Sequence, residues 1–448
     1  MKDKHGLLTG SIPNVLRQMT IPMTFGLVSV LMFNLVDTFF ISLLGTDALA
    51  AISYTFPVTF AVNCITMGMG IGISTSIGRL LGQNQPQDAA RLATHGLLLA
   101  FILVSLASLL GLATITPLFT QLGADANLLP LIEQYMQVWY LTVPLLVLPM
   151  AGNSAIRATG DTKTPAKLMM LSGLINGVLD PLLILGLGPF PELGIQGAAI
   201  ASAFSWLGAL LGSAYMLIYR DKLLAMPSLR RLTQDWGLIL RIGTPAAFSN
   251  AMTPLSGALL MVMISESGKT AVAAYGAAQR VESILILVLM SLTSALTPFM
   301  AQNLGAENPQ RSFAGLFLSM RFSVLFQIMI FVMMVPLSIP LSALFSQEQS
   351  VRDLLWHYLL VVPVSYGFQG IVMMLVSALN ALHQPLRAFQ WNFMRLFLFV
   401  LPCAWMGSQL YAIEGLFIGI GVGNIAAGVF GYLYALRLRR QHCSPLTV

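Results

Sequence analysis

The chain has 448 residues, 56% of them hydrophobic and only 9% charged, a composition that excludes a single water-soluble core. Apolar blocks of roughly 20 or more residues recur to the C-terminus, each long enough to cross ~30 Å of hydrocarbon as a helix. The formal net charge of +6 comes from basic residues gathered at the termini and in alternate loops, so it gives no reason to invoke nucleic acid as a partner.

In chain order, the opening stretch MKDKHGLLTGSIPNVLRQMT is basic but lacks a short apolar core followed by a small-residue cleavage site. It reads as the approach to a retained first helix, not as a removable signal. Breaks at Gly, Pro, Asn and charge clusters then divide the chain into about twelve spans, near 14–44, 48–80, 89–118, 128–155, 165–186, 194–219, 237–266, 270–303, 312–345, 351–380, 386–409 and 414–436. The expected fold class is an all-α polytopic membrane protein with about twelve transmembrane helices, surrounded by lipid. Lys2, Lys4, Arg79, Arg157, Lys163, Lys167, Arg220, Lys222, Arg230, Arg231, Arg311, Arg387, Arg437, Arg439 and Arg440 fall at the termini or in alternate loops. Because basic residues are held inside, both termini are expected to be cytoplasmic. The three cysteines, Cys64, Cys403 and Cys443, make neither a disulfide framework nor a metal-ligand spacing.

The first span carries Asp37 in NLVDTFF, the one charge between Ile21 and Leu44. It stands eight residues before Gly45, or ~12 Å along a helix, with Asn34 one turn before it. In the fifth span, GLINGVLDPLLI, Asn176 and Asp180 are four apart and share one helix face, while Pro181 weakens the local backbone ladder. Ser202 in GIQGAAIAS stands on the next span. A carboxylate in hydrocarbon costs a few kcal/mol by insertion scales, so it faces protein or water, and it is placed to load and unload a proton. Pro22, fifteen residues before Asp37, marks a kink point. That kink has two readings: a hinge that moves when Asp37 gains a proton, or a fixed bend that fits helix packing, since Pro245 occupies the matching place later in the chain.

An internal repeat organises the whole. The segment from Pro22 lies on the segment from Pro245 without a gap at a constant offset of 223 residues, matching Ser42 to Ser265, Gly45 to Gly268, Gly82 to Gly305 and Pro86 to Pro309. LLGQNQP thereby faces NLGAENP. Two six-helix lobes follow, residues 1–219 and 237–448, joined by a cytoplasmic linker over 220–236. Six is an even number, so the repeat is parallel, and a central cavity is expected between the lobes.

The remaining features are less specific. Flexible thioethers such as Met170 suit a cavity that adapts to many shapes, although most of the 25 methionines are expected to pack against helices or lipid. Arg280 and Glu282 on the eighth span have two readings, binding of a ligand in the other lobe or helix packing near the interface, and packing is preferred. His95 and His357 are isolated, with no Ser, Cys or second His at catalytic or metal spacing, so neither an enzyme nor a metal site is expected.

The two lobes, NLVDTFF, LLGQNQP, AIRATGDTKTP, NGVLDP and GIQGAAIAS together resemble the multidrug and toxic compound extrusion (MATE) transporters over essentially the whole chain. The resemblance is to the DinF-like branch, in which a polar cluster of the first lobe takes up the coupling cation. It implies that Asp37, Asn176, Asp180 and Ser202, joined by Tyr135 of the fourth span, form that cluster. Ser202 stands where the family usually has Thr, which keeps the hydroxyl. Asn34, Asn153 and Met170 would face the substrate cavity, with Asn153 also similar to a cluster residue. The NorM-like branch uses acidic residues on the seventh and tenth spans, and SGALLMVMI and GIVMMLVSALN have none, which favours protons over sodium by resemblance. The implied function is a monomeric antiporter of the inner (plasma) membrane, needing no cofactor beyond its coupling ion, that exports amphipathic, often cationic drugs by alternating access. A flippase for lipid-linked precursors, a sodium-coupled exporter and a membrane-embedded enzyme are the competing readings. The strongly cationic cavity and extra spans expected of the flippase are not evident, and the enzyme lacks a catalytic cluster.

Overall fold

A computed structural model describes residues 5–443, so Lys2 and Lys4 of the orientation argument lie outside the described residues. Helices account for the architecture, and no strand occurs among the described residues. In the first half these are α1 (Ile12–Ser42), α2 (Thr46–Gly82), α3 (Pro86–Gln121), α4 (Leu129–Ala158), α5 (Lys163–Ile184) and α6 (Gly194–Tyr215). The second half holds α7 (Leu229–Ser265), α8 (Lys269–Leu285), α9 (Leu287–Gly305), α10 (Pro309–Phe345), α11 (Gln349–Val361), α12 (Tyr366–Ala381), α13 (Pro385–Phe393) and α14 (Leu401–Cys443).

Among the described residues, eleven helical segments are long and apolar enough to cross a membrane. The last of them, Pro385–Cys443, is interrupted at Tyr411 and at Ala412, whose φ is 50°. There the chain doubles back on itself: a Cβ on Gly407 would lie 2.0 Å from the Gly415 carbonyl oxygen, and one on Gly415 would lie 2.1 Å from that of Gly407. Counted this way the chain makes the twelve crossings expected from its apolar blocks.

The repeat survives to the residue in the helix ends. Ser42 and Ser265 end α1 and α7, Thr46 and Lys269 begin α2 and α8, Gly82 and Gly305 end α2 and α9, and Pro86 and Pro309 begin α3 and α10. Every pair keeps the offset read from the sequence. Both turns after the first helix of each half use a left-handed glycine, Gly45 at φ 107° and Gly268 at φ 93°, which a Cβ would strain. Pro86 and Pro309 stand at the first helical turn, where a missing N–H costs nothing. The halves differ where α2 is continuous but its counterpart breaks at Ile286 into α8 and α9.

The described residues form two compact units, one comprising Gln18–Ala247 and the other Gly6–Arg17 with the chain from Phe248 to Cys443. By contacts the boundary between the units falls inside α7, between Ala247 and Phe248, and the N-terminal approach from Gly6 belongs to the second unit. Packing explains both features. The first half of α7 is bound closely to α2: a Cβ on Gly68 would meet the Gly243 carbonyl oxygen at 2.4 Å, and one on Gly72 the Ile239 carbonyl at 2.7 Å. The second half, with Leu260 and Ile264, belongs to a core built with Ala271, Tyr275, Leu355 and Phe417. At the N-terminus, Asn303 Nδ2 and Arg311 Nε each donate to the Leu7 carbonyl oxygen at 3.1 Å, tying the approach to α1 into the second unit. The crossovers between units thus fall within a turn or so of the paired prolines, Pro22 and Pro245.

Candidate functional site

The site is assembled in the first unit by α1, α4, α5 and α6. Close contact between α1 and α5 sets its register: a Cβ on Gly26 would be 3.1 Å from Ala166 Cα, and one on Gly173 would be 3.1 Å from Ser29 Oγ. The two helices run side by side, and seven to eight residues further on they bring Asp37 to the level of Asp180. The Asp37 charge acts on Asp180, and both act on Tyr135, so the three lie within electrostatic reach. Asn176 and Asp180 are fully buried, and Ser202 and Asn153 are nearly so. Asn176 Nδ2 donates to Ser202 Oγ at 3.3 Å across the α5–α6 contact.

The chemistry of the cluster is an excess of acceptors. Asp37 Oδ1, both carboxylate oxygens of Asp180, Asn176 Oδ1 and Asn153 Oδ1 are buried without a well-formed hydrogen bond, the Asn176 side chain being the one polar donor that acts on Asp180. Each unpaired buried acceptor costs about 1–3 kcal/mol, and an ionised carboxylate more. Protons on the carboxyls supply the missing donors, and a small cation would satisfy the same oxygens. The structure thus brings together Asp37, Asp180, Asn176, Ser202 and Tyr135, and buries Asn153 on α4. It leaves Asn34 and Met170 outside the buried cluster, both with exposed side chains. Pro22 lies inside an unbroken α1.

A MatE family model matches residues 22–182 and 245–406, one match in each half of the repeat. The chain belongs to the MATE family. This MATE transporter is 46% identical over 448 residues to an FAD transporter of Shewanella oneidensis, covering 100% of this chain and 98% of that one. It is 31% identical over 273 residues to the probable multidrug resistance protein YoeA of Bacillus subtilis, covering 60% of this chain and 59% of that protein. Among solved structures, the Vibrio cholerae MATE transporter VcmN in the bent form superposes with a TM-score of 0.92 at 32% identity, over 96% of this chain and 98% of that one. The transporter is accordingly a multi-pass membrane protein and not an enzyme.

A second buried polar cluster, of which the sequence pointed to Glu282 but not to its partners, occupies the second unit of the transporter. Tyr358 donates to Glu282 Oε2 at 3.1 Å, and the charge of Arg395 reaches Glu282 without a contact between them. Arg395 Nη1 donates to Asn424 Oδ1 at 3.4 Å, and Asn424 Nδ2 to Ser365 Oγ at 3.4 Å. Three helix irregularities meet at these residues: the break at Ile286, the 3₁₀ turn Val362–Ser365 and the π-helical turn Met394–Val400. Glu282 is therefore part of a buried network and not a simple packing residue. A signal was available, since Arg395 is a lone basic residue inside the eleventh span and an intramembrane arginine marks a site by default.

At the ends of the helices the transporter carries conventional ion pairs. Arg220 Nη2 donates to Asp161 Oδ2 at 2.6 Å, and the Thr164 N–H donates to Asp161 Oδ1 at 3.0 Å. Burial alone would raise the Asp161 carboxyl, but the Thr164 bonds and the Arg220 charge outweigh it and hold the group below the ordinary carboxylate range. A carboxyl depressed on folding stabilises above its unfolded pKa and loses that contribution as pH falls through the folded value. Asp161→Asn is therefore expected to lower the melting temperature at neutral pH, and the gap from native closes below an ordinary carboxyl pKa of 3.8. Thermal melts of both proteins between about pH 7 and about pH 3 check this.

Proposed function

We propose that this MATE transporter is a proton-coupled antiporter that exports a flavin dinucleotide by alternating access across the inner membrane, working as a monomer with both termini in the cytoplasm. The observation that carries the coupling is the cluster of buried acceptor oxygens around Asp37 and Asp180. Protonated, these groups regain donors; deprotonated, they carry uncompensated charge, so the two states favour different surroundings. The cargo rests on the Shewanella oneidensis relative, which is 46% identical across both whole chains. A second reading, export of amphipathic and often cationic drugs, is favoured by YoeA and by the multidrug export protein MepA of Staphylococcus aureus, 28% identical over 298 residues.

Proteoliposomes with an imposed pH gradient separate the two cargoes. Uptake of FAD that a cationic dye does not inhibit supports the flavin reading. Dye transport with no FAD transport replaces it with the drug reading.

The mechanism we propose for coupling runs through α1. Protonation of Asp37 removes a charge that draws polar partners, letting the outer part of α1 repack and bend near Pro22. VcmN, 32% identical, has a solved form described as bent. Pro22→Ala is then expected to lower transport several-fold, and Pro245→Ala to leave it nearly unchanged. Equal losses in the two variants, measured as initial rates, would return Pro22 to a fixed packing role.

A further inference from the structure

The segment joining α6 to α7 is held by the first unit through a histidine. His95, on the third turn of α3, is fully buried. Its Nε2 accepts the Ser228 backbone N–H at 3.0 Å, and its Nδ1 faces Asp235 Oδ2 at 2.7 Å. A ring nitrogen that accepts a backbone N–H carries no proton, so the proton is on Nδ1 and is donated to Asp235. Trp236 Nε1 donates to the His95 carbonyl oxygen at 3.0 Å, and the Ala225 N–H donates to Thr94 Oγ1 at 3.0 Å. The chain from Ala225 to Trp236 is therefore strapped along two consecutive residues of α3.

We propose that His95 is a pH-operated latch on this strap: neutral, it holds Ser228; protonated, it presents Nε2–H to an N–H group and lets the strap go. Two donors facing each other lose the bond and leave the Ser228 N–H without a partner. The charged groups around the ring are the following. From α7 Asp235 faces Nδ1 directly, and from α3 Arg91 Nε binds Asp235 Oδ2 at 3.0 Å. Asp88 pairs with Arg91, and Arg231 lies 3.6 Å from Asp88. From α2 the packed group on this turn is apolar, Ile73 against Gly96. Within the strap the ionised side chains besides Asp235 are Arg230 and Arg231, two and three residues past Ser228.

The second unit supplies a natural control. There the segment leading into α1 is held by Arg311 and Asn303 through the Leu7 carbonyl, groups that do not titrate near neutral pH. One strap is built to respond to acid and the other is not. The first precedes the half of α7 that packs on α2, so its release loosens the entry to that helix. On the cytoplasmic placement proposed above, internal acidification is the signal, and a proton-importing exporter would slow itself as the cytoplasm acidifies.

Hydrogen exchange of the full-length protein, corrected for intrinsic rates, tests the latch without reference to transport or sidedness. Between about pH 8 and about pH 5.5, peptides covering 223–231 are expected to lose protection roughly tenfold or more, while those covering 6–11 keep theirs. His95→Gln keeps an acceptor for Ser228 but does not titrate, so its strap should stay protected at both pH values. If that variant does not fold, Ser228→Pro removes the N–H and should expose the strap equally at both. A native strap indifferent to pH, or an acid response that persists in either variant, overturns the proposal. In proteoliposomes, lowering pH on the linker side at a fixed pH difference should slow native transport several-fold and leave His95→Gln unchanged. A latch seen by exchange without this effect would remove its regulatory role, whereas loss of all transport would bear only on the proposed function.

Discussion

Asp37→Asn is expected to abolish proton-driven export, lowering the initial rate by about a hundredfold or more, while the protein folds and binds cargo normally. Asparagine keeps the shape of the side chain and removes only its titration. It also adds a donor to a cluster rich in acceptors, because Asp37 Oδ1, Asp180 Oδ1 and Oδ2, and Asn176 Oδ1 are all buried without a well-formed hydrogen bond. Melting temperature should therefore hold or rise slightly as transport disappears, a combination that general destabilisation cannot produce. Transport by Asp37→Asn at the native rate in proteoliposomes would remove this residue from the mechanism.

Asp180→Asn should behave in the same way, with a loss of similar size. The two carboxylates act on each other and on Tyr135, so they titrate as one system and separate pKa values do not belong to either. The double variant should then be no worse than either single one, a non-additivity that marks groups acting as a unit. Asn176→Ala and Ser202→Ala break a bond of 3.3 Å between uncharged groups and are expected to cost only a few-fold each. Should Asp180→Asn transport normally while Glu282→Gln is inactive, coupling would belong to the network of the second unit.

The sequence carries the helices and their repeat because both are written in apolar periodicity and in turn residues that have few substitutes. Gly45, Gly268, Pro86 and Pro309 fix helix ends that the offset of 223 residues then predicts to the residue. Asp37 and Asp180 are legible for a related reason, since acidic groups in long apolar runs stand out. Tyr135 is not, because a tyrosine in a membrane helix has many ordinary roles, and only the family resemblance singled it out. The boundary between units inside α7 is not legible, because α7 is one continuous helix whose two halves pack differently. Contacts such as Gly68 on Gly243 leave no periodic trace. Arg395 and His95 show a different gap. Each is a single residue whose role appears only when distant elements bring partners to it, Asn424 in one case and Asp235 with Ser228 in the other.

The central claim is that the Asp37–Asp180 cluster exchanges protons for cargo, and the most direct measurement is proton movement driven by cargo alone. Proteoliposomes loaded with FAD and a pH-sensitive dye, diluted into cargo-free buffer with no imposed ion gradient, should show protons moving opposite to FAD. The signal should vanish in Asp37→Asn and be unaffected by replacing sodium with choline. FAD efflux through the native protein without proton movement, or efflux that requires sodium, would contradict the account.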